Sequence, residues 1–180
     1  GNTVWLDSRT VEFRPETRLT AGQVYEVDFS LSKLIENIPA ELKTFEYTFQ
    51  VIPLNFEVSI QNLKTYVKTD LKRQKIEGVL NTSDFAENES IEKMLTVQQE
   101  GKTLQVTWAH TGEGKQHNFI VEEVERKESA SKVTLTADGK VLGVEQRDER
   151  EIEVPALGDF KIMSVKVEQS STQNIIIQFS

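Results

Sequence analysis

Four stretches of the chain alternate apolar and polar residues with a period of two. Tyr25, Val27, Phe29 and Leu31 share one face, with Glu26, Asp28 and Ser30 between them. Phe45, Tyr47, Phe49 and Val51 alternate with Glu46, Thr48 and Gln50, and Phe56, Val58 and Ile60 with Glu57, Ser59 and Gln61. Leu104, Val106 and Trp108 alternate with Thr103, Gln105 and Thr107. Successive side chains of a strand point to opposite faces, so these runs predict half-buried antiparallel strands, and their β-branched and aromatic content supports the assignment. Weaker strand patterns are predicted over 10–14, 76–81, 118–125, 132–136, 141–145, 150–154 and 160–168. The chain opens at Gly1–Trp5 and closes at Ile175–Ser180 in further strand-like runs. Turn residues separate these patterns at Ala21-Gly22, Glu100-Gly101-Lys102, Thr111–Gly114 and Asp138-Gly139.

Helical signal is minor. Leu31 to Ile38 suits a single turn before Pro39. Ser83 to Leu95 has a cap in Ser83 or Asp84, acidic residues in its first turns, and Ile91, Met94 and Leu95 on one face. A short helix bridging two sheets is expected there. Pro53 breaks an otherwise continuous alternating run at Ile52-Pro53-Leu54 and marks a boundary. The segment before it is about half the length of a complete immunoglobulin-like sandwich, which takes about 100 residues.

The expected fold is therefore all-β: tandem immunoglobulin-like antiparallel β-sandwiches, the first incomplete, with one short helix. Residues 1–53 would be the carboxy-terminal half of a sandwich, 54–158 a complete sandwich, and 159–180 the start of a following β unit. Half a sandwich leaves an apolar face and strand edges to be covered by the second unit or by a neighbouring copy. A lone leading glycine resembles the residue left by tag removal, and both ends fall within strand patterns. The chain is accordingly expected to be a piece of a longer protein.

Composition narrows the function. The 180 residues are 37 % hydrophobic and 28 % charged, with a formal net charge of −8. That field repels a phosphate backbone and an anionic membrane surface, and no lysine or arginine cluster reverses it locally. No run approaches the roughly 18–20 apolar residues that span a bilayer as a helix. Cysteine is absent, which removes disulfides, thiolate catalysis, zinc–thiolate sites and thioester chemistry together.

The candidates for chemistry are few. His110 and His117 flank the glycine loop and could bind a metal only by converging across the hairpin and recruiting a carboxylate such as Glu113; otherwise they are expected as two solvent-facing histidines near a hairpin tip. Acidic runs occur at Glu87-Asn88-Glu89, at Glu122-Glu123 and from Glu145 to Glu153. Paired carboxylates can hydrolyse glycosides, but these fall at outward strand positions or in loops. Asp84, Glu87 and Glu89 match no calcium loop. Trp108 ends an inward face, while Trp5, Tyr66 and Phe85 are the aromatics that could form a sugar platform. The sequons at Asn81 and Asn88 matter only in a glycosylating host. No Ser/His/Asp spacing, phosphate-binding glycine loop or nucleophile elbow is present. Expected, then, are no catalytic residues, no cofactor and no metal site.

Several phrases are more particular than β pattern. Val4-Trp5-Leu6-Asp7, Val11-Glu12-Phe13-Arg14-Pro15 and Leu19-Thr20-Ala21-Gly22-Gln23-Val24-Tyr25 resemble the closing half of a bacterial immunoglobulin-like domain. They are followed by Asn81–Asp84, Leu104–Trp108, Asp138-Gly139-Lys140 and Val154-Pro155-Ala156-Leu157-Gly158-Asp159-Phe160. In this order the phrases resemble the amino-terminal immunoglobulin-like and macroglobulin-like domains of the bacterial alpha-2-macroglobulin family, in its Bacteroides-type form. The resemblance implies a periplasmic or outer-membrane-anchored lipoprotein of the cell surface that inhibits proteases by entrapment, using a bait region and often a thioester. Without cysteine the thioester cannot lie in this chain, so no functional residue carries over. The implied role is a non-catalytic structural and interaction segment. Its partners would be neighbouring domains and, through the parent protein, proteases; nucleic acid and direct membrane insertion are not expected. The competing expectation is a carbohydrate-binding or adhesin β-sandwich module of a bacterial surface protein. A glycosidase ranks last.

Overall fold

The computed structural model describes residues 1–33, 35–67, 69–169 and 172–180. The chain divides into two compact units, Gly1–Leu54 and Asn55–Ser180.

The first unit is two antiparallel ribbons. Strand β1 (Asn2–Trp5) pairs with β2 (Val11–Arg14), and β3 (Val24–Ser30) with β4 (Thr44–Gln50). An aspartate turn joins β1 to β2: the Asp7 carboxylate accepts the Arg9 N–H at 2.7 Å, and the Leu6 N–H reaches the Thr10 carbonyl at 2.9 Å. Before β3, the Gln23 N–H closes on the Thr20 carbonyl at 3.2 Å with Gly22 at φ +75°. This is the left-handed third position that a type II turn reserves for glycine. The Tyr25 hydroxyl then accepts the Thr20 N–H at 2.9 Å. A tyrosine at the start of a strand that bonds back to the preceding corner is the tyrosine corner found before strand F of immunoglobulin-like sandwiches.

In the second unit β5 (Phe56–Thr65), β6 (Arg73–Thr82), β10 (Gln116–Glu125) and β9 (Val106–His110) form one four-stranded sheet in that order. The other sheet runs β12 (Arg147–Val154), β11 (Ser131–Asp138), β7 (Leu95–Gln99), β8 (Lys102–Thr103). Lettered in chain order, these are the A-B-E-D and G-F-C orders of an immunoglobulin-like sandwich, with β8 as an added C′. The helix α1 (Asn88–Met94) crosses from strand B to strand C. Inward residues of both sheets, among them Val58, Ile76, Leu80, Phe119, Val121, Val97, Val133, Leu135 and Val154, join Ile91 and Met94 of α1 in one core. Phe119 lies opposite Gly78, where an added Cβ would stand 2.2 Å from the ring. The amide of buried Gln99 spans the two sheets, donating to the Glu125 carbonyl (2.7 Å) and the Ser131 hydroxyl (2.9 Å) and accepting the Glu125 N–H (2.9 Å). A last ribbon, β13 (Ile162–Gln169) with β14 (Gln173–Phe179), belongs to the same unit. Lys166 reaches Asn62 at 2.9 Å and the Gln178 amide donates to the Leu63 carbonyl.

The all-β class with one short helix is as expected; four local expectations are corrected. Residues 141–145 are not a strand. Gly139–Leu142 is a 3-10 turn whose Lys140 N–H is held by the Asp138 carboxylate (3.0 Å), and Gly143 ends it at φ +72°. The helix begins at Asn88 rather than near Ser83, because residues 83–86 are tied elsewhere: the Ser83 hydroxyl accepts the Asn55 N–H (3.0 Å) and the Ala86 N–H reaches the Gly114 carbonyl (2.9 Å). Leu95 starts a strand instead of ending the helix. The run Thr103–Trp108 is not one strand, for β8 and β9 lie in different sheets and the chain crosses at Leu104-Gln105. Of the turn expected over Leu31–Ile38, Leu31–Lys33 is a 3-10 turn, and Leu34 lies outside the described residues.

Candidate functional site

The hairpin of β9 and β10 pairs His110 with His117 directly across the strands. The two Nδ1 atoms are 2.8 Å apart, and the Nε2 of His110 lies 3.1 Å from Oε1 of Glu92 on α1. His117 is fully buried, and its Nε2 has no hydrogen-bond partner among the described residues. Burial first, and then the His110 ring, hold its imidazole below the ordinary histidine value, while the Gly114 backbone opposes them more weakly. Trp108 stacks on His110 with centroids 5.7 Å apart, and Trp108 also meets Phe119 at 5.4 Å. The histidines thus converge as a metal pair would have to, but the carboxylate they recruit is Glu92 and not Glu113. Glu92 and His117 hold opposite sides of the His110 ring. Ligands to one ion must converge on one point, whereas this is a hydrogen-bonded chain. Among the described residues no group of three or more His, Asp or Glu is placed to hold a metal ion.

The other acidic candidates are dispersed. Asp84 bonds the Phe85 N–H at 2.8 Å and lies 3.9 Å from Lys115; Glu89 pairs with Lys93 at 4.0 Å. Glu87 immediately precedes α1, and its carbonyl takes the Ser90 and Ile91 N–H groups. Glu123 occupies a bulge in β10 at φ +56° next to Glu122. The Glu145–Glu153 run forms surface ion pairs: Arg147–Glu149 (3.4 Å), Arg150–Asp148 (3.0 Å), Lys132–Glu151 (2.6 Å) and Lys161–Glu153 (3.1 Å). Trp108 packs against the core, as expected, and Trp5 is exposed.

Arg126 and Glu92 escaped the sequence. Arg126, following β10, is 3 % exposed. Its Nε donates to the Pro155 and Ala156 carbonyls (both 3.1 Å), and its Nη2 to those of Ala156 (2.8 Å) and Asp159 (2.6 Å). The Leu157 N–H meets the Lys127 carbonyl at 2.6 Å beside it. A buried guanidinium therefore clamps the connection leading from β12 to the β13–β14 ribbon. The signal for it was parity: the bulge at Glu122-Glu123 shifts the inward phase from Phe119 and Val121 to Val124, and so to Arg126. Glu92 left no signal, because its partner is 18 residues away.

A further feature, in the first unit, is apolar. Among the described residues, none of the first unit is buried. Tyr25, Val27 and Phe29 lie opposite Phe49, Tyr47 and Phe45 on one face of the β3–β4 ribbon, with Tyr25 stacked on Phe49 at 5.7 Å. This face and the Thr3, Val11 and Phe13 side chains of the β1–β2 ribbon line a groove of about 670 Å³. Phe13 and Phe45 remain 60 % and 59 % exposed. On the β13–β14 ribbon Val165, Val167, Ile175, Ile176 and Ile177 are likewise exposed.

No protein-family model matches the chain, and no curated protein or solved structure is found similar to it.

Proposed function

We propose that this chain is a non-catalytic structural and interaction segment of a bacterial alpha-2-macroglobulin-like, protease-trapping protein at the periplasmic or outer-membrane surface. One observation carries the proposal. The β1–β2 and β3–β4 pairs with their Tyr25 corner correspond to strands D, E, F and G of an immunoglobulin-like sandwich, and their aromatic faces are exposed. Two-stranded ribbons are marginal alone, and such faces are covered by further strands. Neighbouring β domains of a longer chain are the partners this surface suits, and proteases would be met through the parent protein. The engagement of Asp148, Glu149 and Glu151 in surface ion pairs, and of the histidines in a closed chain, supports a structural role over a chemical one.

Entrapment excludes by size, because a caged protease keeps an open active site. The full-length protein carrying this segment is therefore expected to suppress cleavage of a protein substrate while leaving a small chromogenic peptide substrate unprotected. Suppression of both, or of neither, would rule out the trap. One observation favours a second reading: Phe45, Tyr47 and Phe49 form a row along β4, with neighbouring centroids 5.6 and 6.5 Å apart. Aromatic rows can stack sugar rings. Glycan-array binding lost in Tyr47→Ala would replace the first reading with a carbohydrate-binding module.

A further inference from the structure

We propose that the Glu92–His110–His117 chain is an acid-sensitive latch, holding the β9–β10 hairpin to α1 while a single proton lies between the two Nδ1 atoms and releasing it when both carry one. The inference does not depend on the proposed function.

Hydrogen counting sets the states. A contact of 2.8 Å between two ring nitrogens needs one donor and one acceptor. The Nε2 of His110 faces a carboxylate and so carries hydrogen. With both rings neutral, His110 Nδ1 must accept, His117 Nδ1 must donate, and the buried His117 Nε2 is a bare acceptor. A first added proton is accommodated by a shift: it enters at His117 Nε2, the shared proton crosses from His117 Nδ1 to His110 Nδ1, and the His110 imidazolium then donates to Glu92 on one side and to His117 on the other. A second proton is not. It would place two N–H donors head to head, or a cation in a site that no carboxylate among the described residues faces.

Apart from the Gly114 backbone, the described residues offer His117 no relief. From β9 the titratable neighbour is His110, and from α1 it is Glu92, which is engaged by His110. Glu89 and Lys93 of α1 pair with each other. At the hairpin, Lys115 lies 3.9 Å from Asp84, in the segment before α1, and Glu113 is exposed in the turn. The tip of the hairpin is closed by its own turn and tied to the segment before α1. The Thr111 N–H and hydroxyl both bond the Gln116 carbonyl (3.1 and 3.0 Å), and the Gly114 carbonyl takes the Ala86 N–H. Opening separates the tip from residues 82–86 and α1, and lifts Trp108 with its stacked His110.

The test is hydrogen exchange of the whole chain with NMR titration of both imidazoles. After correction for intrinsic exchange, hairpin amides from Val106 to Phe119 should lose protection by about tenfold between about pH 7 and pH 5, the effect of one pKa unit of differential protonation. Val133 and Leu135 in β11 should change little. One histidine should titrate in step with the hairpin. His117→Phe, which fills the site without a titrating group, should remove the pH dependence. Should that variant fail to fold, the wild-type titration still decides: two histidines titrating while hairpin protection stays constant would overturn the latch, as would a parallel loss of protection in β11.

Discussion

Arg126 is the residue whose replacement best tests the account of the second unit. Arg126→Met keeps the length and apolar stem while removing the guanidinium. Four N–H···O contacts to the Pro155, Ala156 and Asp159 carbonyls are lost. Two of these carbonyls keep a partner: Ala156 accepts the Asp159 N–H at 2.9 Å, and Asp159 accepts the Ser180 hydroxyl at 2.9 Å. At about 1–1.5 kcal/mol for each lost contact the gross loss is about 4–6 kcal/mol. Removing a buried charge returns about 2 kcal/mol of desolvation, because the clamp is built from carbonyl dipoles alone. The expected net destabilisation is about 2–4 kcal/mol, or about 6–15 °C in the melting temperature of a unit this size. Calorimetry and urea unfolding read the total. Hydrogen exchange should show the Leu157 amide and the β13–β14 ribbon loosening before β6 and β11. Arg126→Lys keeps the charge but not the fork, reaches fewer of the carbonyls, and should fall between the two. A methionine variant within about 0.5 kcal/mol of the parent would refute the reasoning, since it would mean that the connection holds its place without the clamp.

Three further outcomes follow from the same geometry. Gly78→Ala places a methyl 2.2 Å from the Phe119 ring, which is 1 % exposed and cannot swing out; about 1–3 kcal/mol should be lost in urea unfolding, and Phe119→Leu in the same chain should restore part of it. Tyr25→Phe deletes the hydroxyl that accepts the Thr20 N–H; Thr20 amide exchange should rise by about tenfold, and an unchanged rate would dismiss the corner as a stabilising device. Glu77 is partly buried, which raises its carboxyl, but Lys64 (2.6 Å) and Lys75 (3.1 Å) outweigh this and hold it below the ordinary value of 4.5. The unfolded chain then binds that proton more readily, so the contribution is complete above about pH 4.5 and lost as pH falls through the depressed value. Glu77→Gln should flatten the acid limb of the stability curve there, and an identical acid limb in the variant would contradict this.

How much could be read in advance depended on how local each cause was. Alternation located β3, β4 and β5, because inward and outward parity is set by the pleat itself. The phrase Leu19–Tyr25 was noticed as a pattern, and its physical content is a glycine at positive φ followed by a hydroxyl that closes the corner. The split of Thr103–Trp108 into β8 and β9 was illegible: parity continues across it, and only the need of Leu104 to stay in the core while the chain changes sheets reveals it. Seven residues around a glycine loop bring His110 and His117 into register, but His117 is buried rather than solvent-facing as expected, because it falls on the inward face of β10. Glu92 and the Arg126 clamp were not legible, since each acts on a partner 18 to 33 residues away.

The contrast between the two units bears most directly on function. The Phe45-Tyr47-Phe49 alternation is stronger than any run in the second unit, yet Val97 and Val133 are fully buried while Phe45 is 59 % exposed. Pattern strength therefore does not decide burial; the number of strands available to face the pattern does. Eight strands in two sheets close a core around weaker alternation in the second unit, whereas two ribbons leave an aromatic face open in the first. An amphipathic ribbon whose apolar side faces solvent is unfavourable by about 25 cal/mol for each Å² left uncovered. That same term is available to whatever β face covers it. The exposed aromatics Phe45, Tyr47 and Phe49 are on this argument the strongest association surface among the described residues. Charged substitutions along it, such as Tyr47→Glu, should weaken assembly into a larger protein while leaving the sandwich of the second unit at its parent stability.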